Sequence, residues 1–115
     1  MKERDKPKFE IALESVRTYR GLNITYRDRW GQVTSRAILP FRVYELGEVV
    51  YIQAYCWLSK EVEHFALPGI LRIELRPKTV DKAVYIDYRD RIDELGKPLP
   101  WPKIFIASVN LETED

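Results

Sequence analysis

Tyr51, Gln53 and Tyr55 stand at alternate positions of the stretch Val49–Cys56, and a strand there places all three on one face. Two aromatic rings with an amide between them can stack on nucleic-acid bases and hydrogen-bond to base edges. The same ladder would also serve as a solvent-facing or dimer-facing aromatic surface, which strands favour in any case. Arg36 could clamp a phosphate through its planar fork, or it could pair with a carboxylate such as Glu63. Lys60 and His64 lie nearby in the chain. His64 is the sole histidine; with no second histidine and no adjacent cysteine it reads as a polar surface residue rather than a metal ligand. The candidate ligand-binding set is therefore Arg36, Tyr51, Gln53, Tyr55, Lys60 and His64, with no catalytic residue, metal or cofactor expected.

The rest of the chain offers little for catalysis. No Ser-His-Asp, Cys-His, phosphate-loop or glycine-rich signature is present. The single cysteine, Cys56, excludes an internal disulfide framework and falls on the apolar side of its strand, as a buried free thiol would. Asp87, Asp90, Asp93 and Glu94 alternate with Arg89 and Arg91, the pattern of a solvated charged face. Nineteen basic and eighteen acidic residues give a net charge of +1, so no global electrostatic footprint for nucleic acid exists. No apolar run reaches the roughly 18 residues of a membrane span and no signal peptide is visible, which makes the cytoplasm the expected compartment.

A length of 115 residues predicts one domain, 1–115. Phe9, Ala12, Leu13 and Val16 recur at helical spacing after Pro7, which predicts a helix over about 7–20 stopped by Gly21. Residues 22–76 then read as five strands with short connections. Leu22 to Arg27 alternates; Asp28 to Gln32 is a turn; Val33 to Leu46 is one long strand broken by Pro40, where a bend or bulge is expected. Val49–Cys56 follows, with Val50, Ile52, Ala54 and Cys56 facing a core. After a turn at Leu58–Glu61, Val62 to Leu67 returns. Ile70 to Leu75 presents Leu71, Ile73 and Leu75 on one face and is closed by Pro77. Five short bent antiparallel strands after a helix predict a mainly β fold, a small SH3-type barrel. Residues 79–111 form a C-terminal extension: a helix over about 80–95 with Thr79 as N-cap, a stiff connector Lys97 to Pro102, and an extra strand, Ile104 to Val109, docking on the barrel or on another chain. Trp30, at a turn tip, and Trp101 are either partner anchors or fold back on the barrel.

Three blocks occur in order: Arg36-Ala37-Ile38-Leu39-Pro40-Phe41, then Val50-Tyr51-Ile52-Gln53-Ala54-Tyr55-Cys56, then Phe65-Ala66-Leu67. In order and spacing they resemble the WYL domain family. They correspond to its R-x-x-x-P block, its namesake strand, here Val50-Tyr51-Ile52, and its F-x-L block. The resemblance covers about residues 8–76 and implies an Sm-like, SH3-type five-stranded β-barrel. It also implies a regulatory, ligand-sensing module for single-stranded RNA or DNA or a nucleotide. Such a module modulates a partner effector, transcriptional or CRISPR/defence-associated. Separately, a homodimer is expected. With too few residues before the barrel for a helix-turn-helix, the chain would act as a stand-alone accessory protein or as one domain of a larger assembly. Where the family carries arginines around its F-x-L block, this chain has Glu63, Ala66 and Gly69. The alternative is a structural dimerisation or docking module whose ligand site has degenerated.

Overall fold

A computed structural model describes residues 1–94 and 104–108. The order is α1 (Lys6–Thr18), β1 (Arg20–Arg27), β2 (Val33–Leu46), β3 (Val49–Cys56), β4 (Glu61–Ala66), β5 (Ile70–Thr79), α2 (Lys82–Glu94) and β6 (Ile104–Ser108). The predicted connector and Trp101, and the chain from Val109 onward, lie outside the described residues.

All five predicted strands are present, antiparallel, in the spatial order β4-β3-β2-β1-β5; β6 pairs with β2 of its own chain rather than with a second chain. The hydrogen-bonded path ends at β4 and β5 with no ladder between them, so the sheet is open and the expected barrel is not closed by hydrogen bonds. A short 3-10 turn with Pro68 at its centre, Leu67–Gly69, separates these two strands. The bend in β2 sits at Pro40 as expected: pairing with β3 shifts register between Pro40 and Arg42 and leaves Phe41 as the extra residue of a bulge. Proline cannot donate to a ladder, which makes this the place where the strand turns.

The α1 stripe behaves as its period requires. Ala12, Leu13 and Val16 are buried and Phe9 packs beside them on the main core of Leu22, Ile24, Ile38, Val43, Val50, Ile52, Ala54, Cys56 and Phe65. Lys8 fastens the helix to the β4–β5 connection by donating to the carbonyls of Leu67 (2.7 Å) and Ile70 (3.0 Å), and it pairs with the buried Asp5 at 2.6 Å. The helix ends earlier than predicted. Tyr19, not Gly21, takes the left-handed conformation, with φ of 57°, and its N–H closes the last turn on Ser15.

Gly21 serves a different purpose inside β1. A Cβ there would lie 2.9 Å from the Ile38 carbonyl oxygen, 3.0 Å from Arg76 and 3.2 Å from the Trp57 ring. The glycine lets Arg76 and Trp57 settle onto the sheet. Gly21→Ala is expected to destabilise the fold by about 1–3 kcal/mol through this overpacking, measured as a lowered urea midpoint with unchanged slope.

β5 departs from its predicted pattern in two ways. It runs through Pro77 to Thr79, with register shifts against β1 on both sides of the regular stretch. The shift between Thr25 and Tyr26 displaces Leu71 from the row of Ile73 and Leu75, so Leu71 is exposed while the other two pack on the core. At α2 the cap is Asp81 rather than Thr79: its carboxylate accepts the Val84 N–H at 3.2 Å.

Candidate functional site

Residues paired across antiparallel strands share a face, so the pairing of β2, β3 and β4 sorts the candidate residues. Three cross-strand rows form the outer face, away from the main core. They are Leu39–Tyr55–Val62, Arg42–Gln53–His64 and Tyr44–Tyr51–Ala66. Tyr51, Gln53, Tyr55 and His64 are thus brought together as expected. Lys60 sits at the β3–β4 turn, exposed, at φ of 61°.

Arg36 is not part of that face. It pairs with Ile24 and shares its side with Ile38, both buried in the main core. Its guanidinium lies over the Phe65 ring (5.8 Å), donates to Glu63 Oε2 at 2.6 Å and reaches Cys56 Sγ at 3.7 Å. Ser59 donates to the same Glu63 oxygen at 2.7 Å. Of the two readings of Arg36, the carboxylate pair is the one formed here. The pair closes one end of the core interior.

Gln53 is also placed differently from expectation. It is 1% exposed, and its amide oxygen accepts from Arg42 at 2.8 Å. The outer face is largely covered rather than open. Tyr85 of α2 packs with Leu39 and Phe41 in a second core that also takes up Tyr55, Val62, Tyr19 and Val80. The Tyr85 hydroxyl donates to the Pro40 carbonyl at the bulge. Burial holds that hydroxyl well above the ordinary tyrosine range, so it stays a donor.

What remains accessible is the edge formed by Tyr51 and His64. Tyr51, half-buried, stacks on the fully buried Tyr44 with centroids 5.4 Å apart and planes at 14°. The Tyr44 hydroxyl contacts His64 Nδ1 at 2.8 Å. Burial, with Tyr51 beside it, pushes the Tyr44 hydroxyl up to about 12, so it remains a proton donor. Desolvation lowers His64 below its usual 6.5, so the ring is neutral at pH 7. In the tautomer in which Nδ1 accepts from the Tyr44 hydroxyl, the ring proton is on Nε2. The edge offers an aromatic plane backed by a second ring, with an imidazole beside it. Among the described residues no cluster of three metal-ligating side chains exists.

The protonation state carries a pH dependence. The folded protein binds the His64 proton more weakly than the unfolded chain does. The His64 contribution to stability, small because the residue is exposed, is complete above pH 6.5 and is lost as pH drops below 6.5 through the lowered folded value. Melting curves between pH 8 and 5 should show this fall in the wild type and a flatter profile in His64→Gln.

Sequence reasoning missed Arg42, Tyr44 and Tyr85. Simple alternation from Ile38 puts Arg42 and Tyr44 inward; the bulge at Phe41 turns them outward. At the positions where the family resemblance implies arginines, Glu63 holds Arg36 and the Ala66 N–H donates to the Tyr26 hydroxyl at 3.2 Å. A Cβ at Gly69 would lie 2.8 Å from both the Arg27 carbonyl oxygen and the Tyr26 ring.

A helix leading into five antiparallel strands, with a second small core on the outer face, defines a domain of mainly β class. The WYL domain profile matches residues 7–75, and the chain belongs to the WYL domain family. The fold is similar to that of the proteasome accessory factor B/C (PafBC) of Arthrobacter aurescens, with a TM-score of 0.66 and 24% sequence identity over 74% of this chain. The matched region spans 13% of the PafBC chain. A comparison with curated proteins found no match. No helix among the described residues is long and apolar enough to cross a membrane.

Proposed function

We propose that this WYL domain is a cytoplasmic regulatory module that senses a nucleotide or a short single-stranded nucleic acid and modulates a partner effector. Membership of the WYL family supports the regulatory class. The observation that carries the ligand is the Tyr51 ring, half-exposed and backed by Tyr44, with the exposed His64 ring beside it. A base stacks on Tyr51 and its edge meets the His64 ring; Lys60 lies at the far, turn end of the same two strands. The chain acts as one unit, 1–115, on an Sm-like, SH3-type scaffold, a reading supported by the bent β2 and the strand order. The effector belongs to transcription or to CRISPR-type defence, and the module binds rather than catalyses.

A second reading, a dimerisation or docking module with a degenerate ligand site, is favoured by one observation: Arg36 is neutralised by Glu63. Anisotropy titrations of labelled mononucleotide and of short single-stranded RNA and DNA at two salt concentrations separate the two. Tyr51→Ala should cost about 1–3 kcal/mol of affinity, while Arg36→Ala should leave affinity unchanged. Absence of salt-sensitive binding at low salt, together with a stable dimer by light scattering, would sink the sensor reading in favour of docking.

A further inference from the structure

Three exposed apolar side chains gather around the end of β1, on segments other than those that carry Tyr51 and His64. Val33, 47% exposed, opens β2 and pairs directly with Arg27. Leu71, 45% exposed, is the extra residue on β5 between the pairs Thr25–Arg72 and Tyr26–Ile70. Val33 and Leu71 thus flank the end of β1 from its two neighbouring strands, roughly 10 Å apart at the usual strand spacing. Trp30, 77% exposed, stands on the turn that joins β1 to β2, and Arg29 stacks over its ring at 4.4 Å. Both supports are well fixed. The Asp28 carboxylate accepts the N–H groups of Trp30 and Gln32, both at 2.9 Å, and the Asp28 N–H donates to the Gln32 carbonyl at 2.9 Å. On the other side, the β4–β5 connection packs directly on the Arg27 carbonyl at Gly69.

We propose that this face is a docking surface for an acidic protein segment that carries apolar anchor side chains. Large aromatic and arginine side chains dominate the energetics of protein interfaces, and a turn that is already ordered loses little freedom on binding. Arg27, Arg29 and Arg72 surround the three apolar groups, and all three are exposed. Arg27 and Arg72 make no hydrogen bond or ion pair through their side chains among the described residues. Against these positive charges stand Asp28, whose Oδ1 is taken up by its own turn, and Glu74, one row further along β5 opposite Asn23. The excess is local, since the whole chain carries only +1. It favours an acidic partner and steers its approach. The apolar part decides which kind of anionic partner fits. Val33 and Leu71 are aliphatic and give a base no plane to stack on, whereas leucine or phenylalanine side chains bury them. The surface serves this partner whether or not the Tyr51–His64 edge holds a ligand.

The test titrates a labelled peptide of leucines spaced among glutamates into the full chain over a salt series. Saturable binding that weakens as salt rises is expected. The same peptide with Gln for every Glu, or with Ser for every Leu, should bind about tenfold more weakly. Trp30→Ala should weaken binding by a factor of about 5 to 100. Arg27→Gln combined with Arg72→Gln should weaken it about tenfold and flatten the salt dependence. These side chains are exposed, so circular dichroism should show wild-type folding in each variant. Mononucleotide affinity stays at its wild-type value in all of them, so failure of this surface and failure of the ligand edge are read separately. No peptide binding at low salt, equal binding of the glutamine peptide, or wild-type affinity in both Trp30→Ala and the double arginine variant would overturn the docking surface. Displacement of the peptide by a single-stranded oligonucleotide at equal charge concentration, or by phosphatidylserine vesicles, would overturn it in favour of nucleic acid or a membrane. A dimer that Trp30→Ala dissociates would overturn it in favour of a second copy of the chain.

Discussion

Tyr85→Ala is expected to lower the stability of this domain by about 3–5 kcal/mol, the cost of emptying a buried aromatic site. Tyr85 is fully buried. Its ring meets Phe41 at 5.0 Å and Tyr19 edge-on at 5.2 Å, so it joins the bulge of β2, the end of α1 and the body of α2. Calorimetric melting and urea denaturation both read the loss. Tyr85→Phe separates packing from hydrogen bonding. It keeps the ring but leaves the Pro40 carbonyl without the hydroxyl that satisfies it, a cost of about 1–3 kcal/mol. Hydrogen exchange should show α2 amides opening first in Tyr85→Ala, because this is the residue through which the helix holds the sheet. A Tyr85→Ala protein with wild-type melting would show that α2 contributes nothing to the fold.

The second large effect concerns Arg36 and Glu63, whose side chains are 18% and 32% exposed. Removing either leaves its partner poorly solvated at the end of the core, and each alanine variant should lose about 1–3 kcal/mol. The double variant should lose less than the sum, with a coupling of about 0.5–3 kcal/mol. Additive losses would refute a direct pair. Glu63→Arg, which restores the charge that the family resemblance implies, should be more damaging than Glu63→Ala, because it sets two cations against each other over Phe65. In this structure the Arg36 guanidinium is engaged by Glu63. Aromatic stacking must carry whatever affinity the Tyr51–His64 edge provides.

Much of the architecture was legible from local pattern. The α1 stripe and the alternation of β3 predicted their buried faces correctly, since helical and strand periods are set by backbone geometry alone. Glycine and proline located the turns and the bend at Pro40. The errors arose where a residue's role depends on a partner far along the chain. Gly21 looked like a helix stop because its neighbours Trp57 and Arg76 are invisible locally. Leu71 looked buried because a register shift cannot be read from alternation. Gln53 looked exposed because polar residues usually are; its burial follows from Arg42 beside it and from the covering of the outer face.

The sequence by itself determined the helix, the five strands, the inner face of β3 and the gathering of Tyr51, Gln53, Tyr55 and His64 on one side of a sheet. Only the tertiary structure decided what that side meets. One extra residue at Phe41 turned Arg42 and Tyr44 outward to bond Gln53 and His64, and Tyr85 arrived from α2 to bury half of the face. Pairing of β1 with β2 sent Arg36 to the opposite side, toward Glu63. Periodicity is a property of a few neighbouring residues, whereas register, bulges and coverage are set by contacts between distant segments.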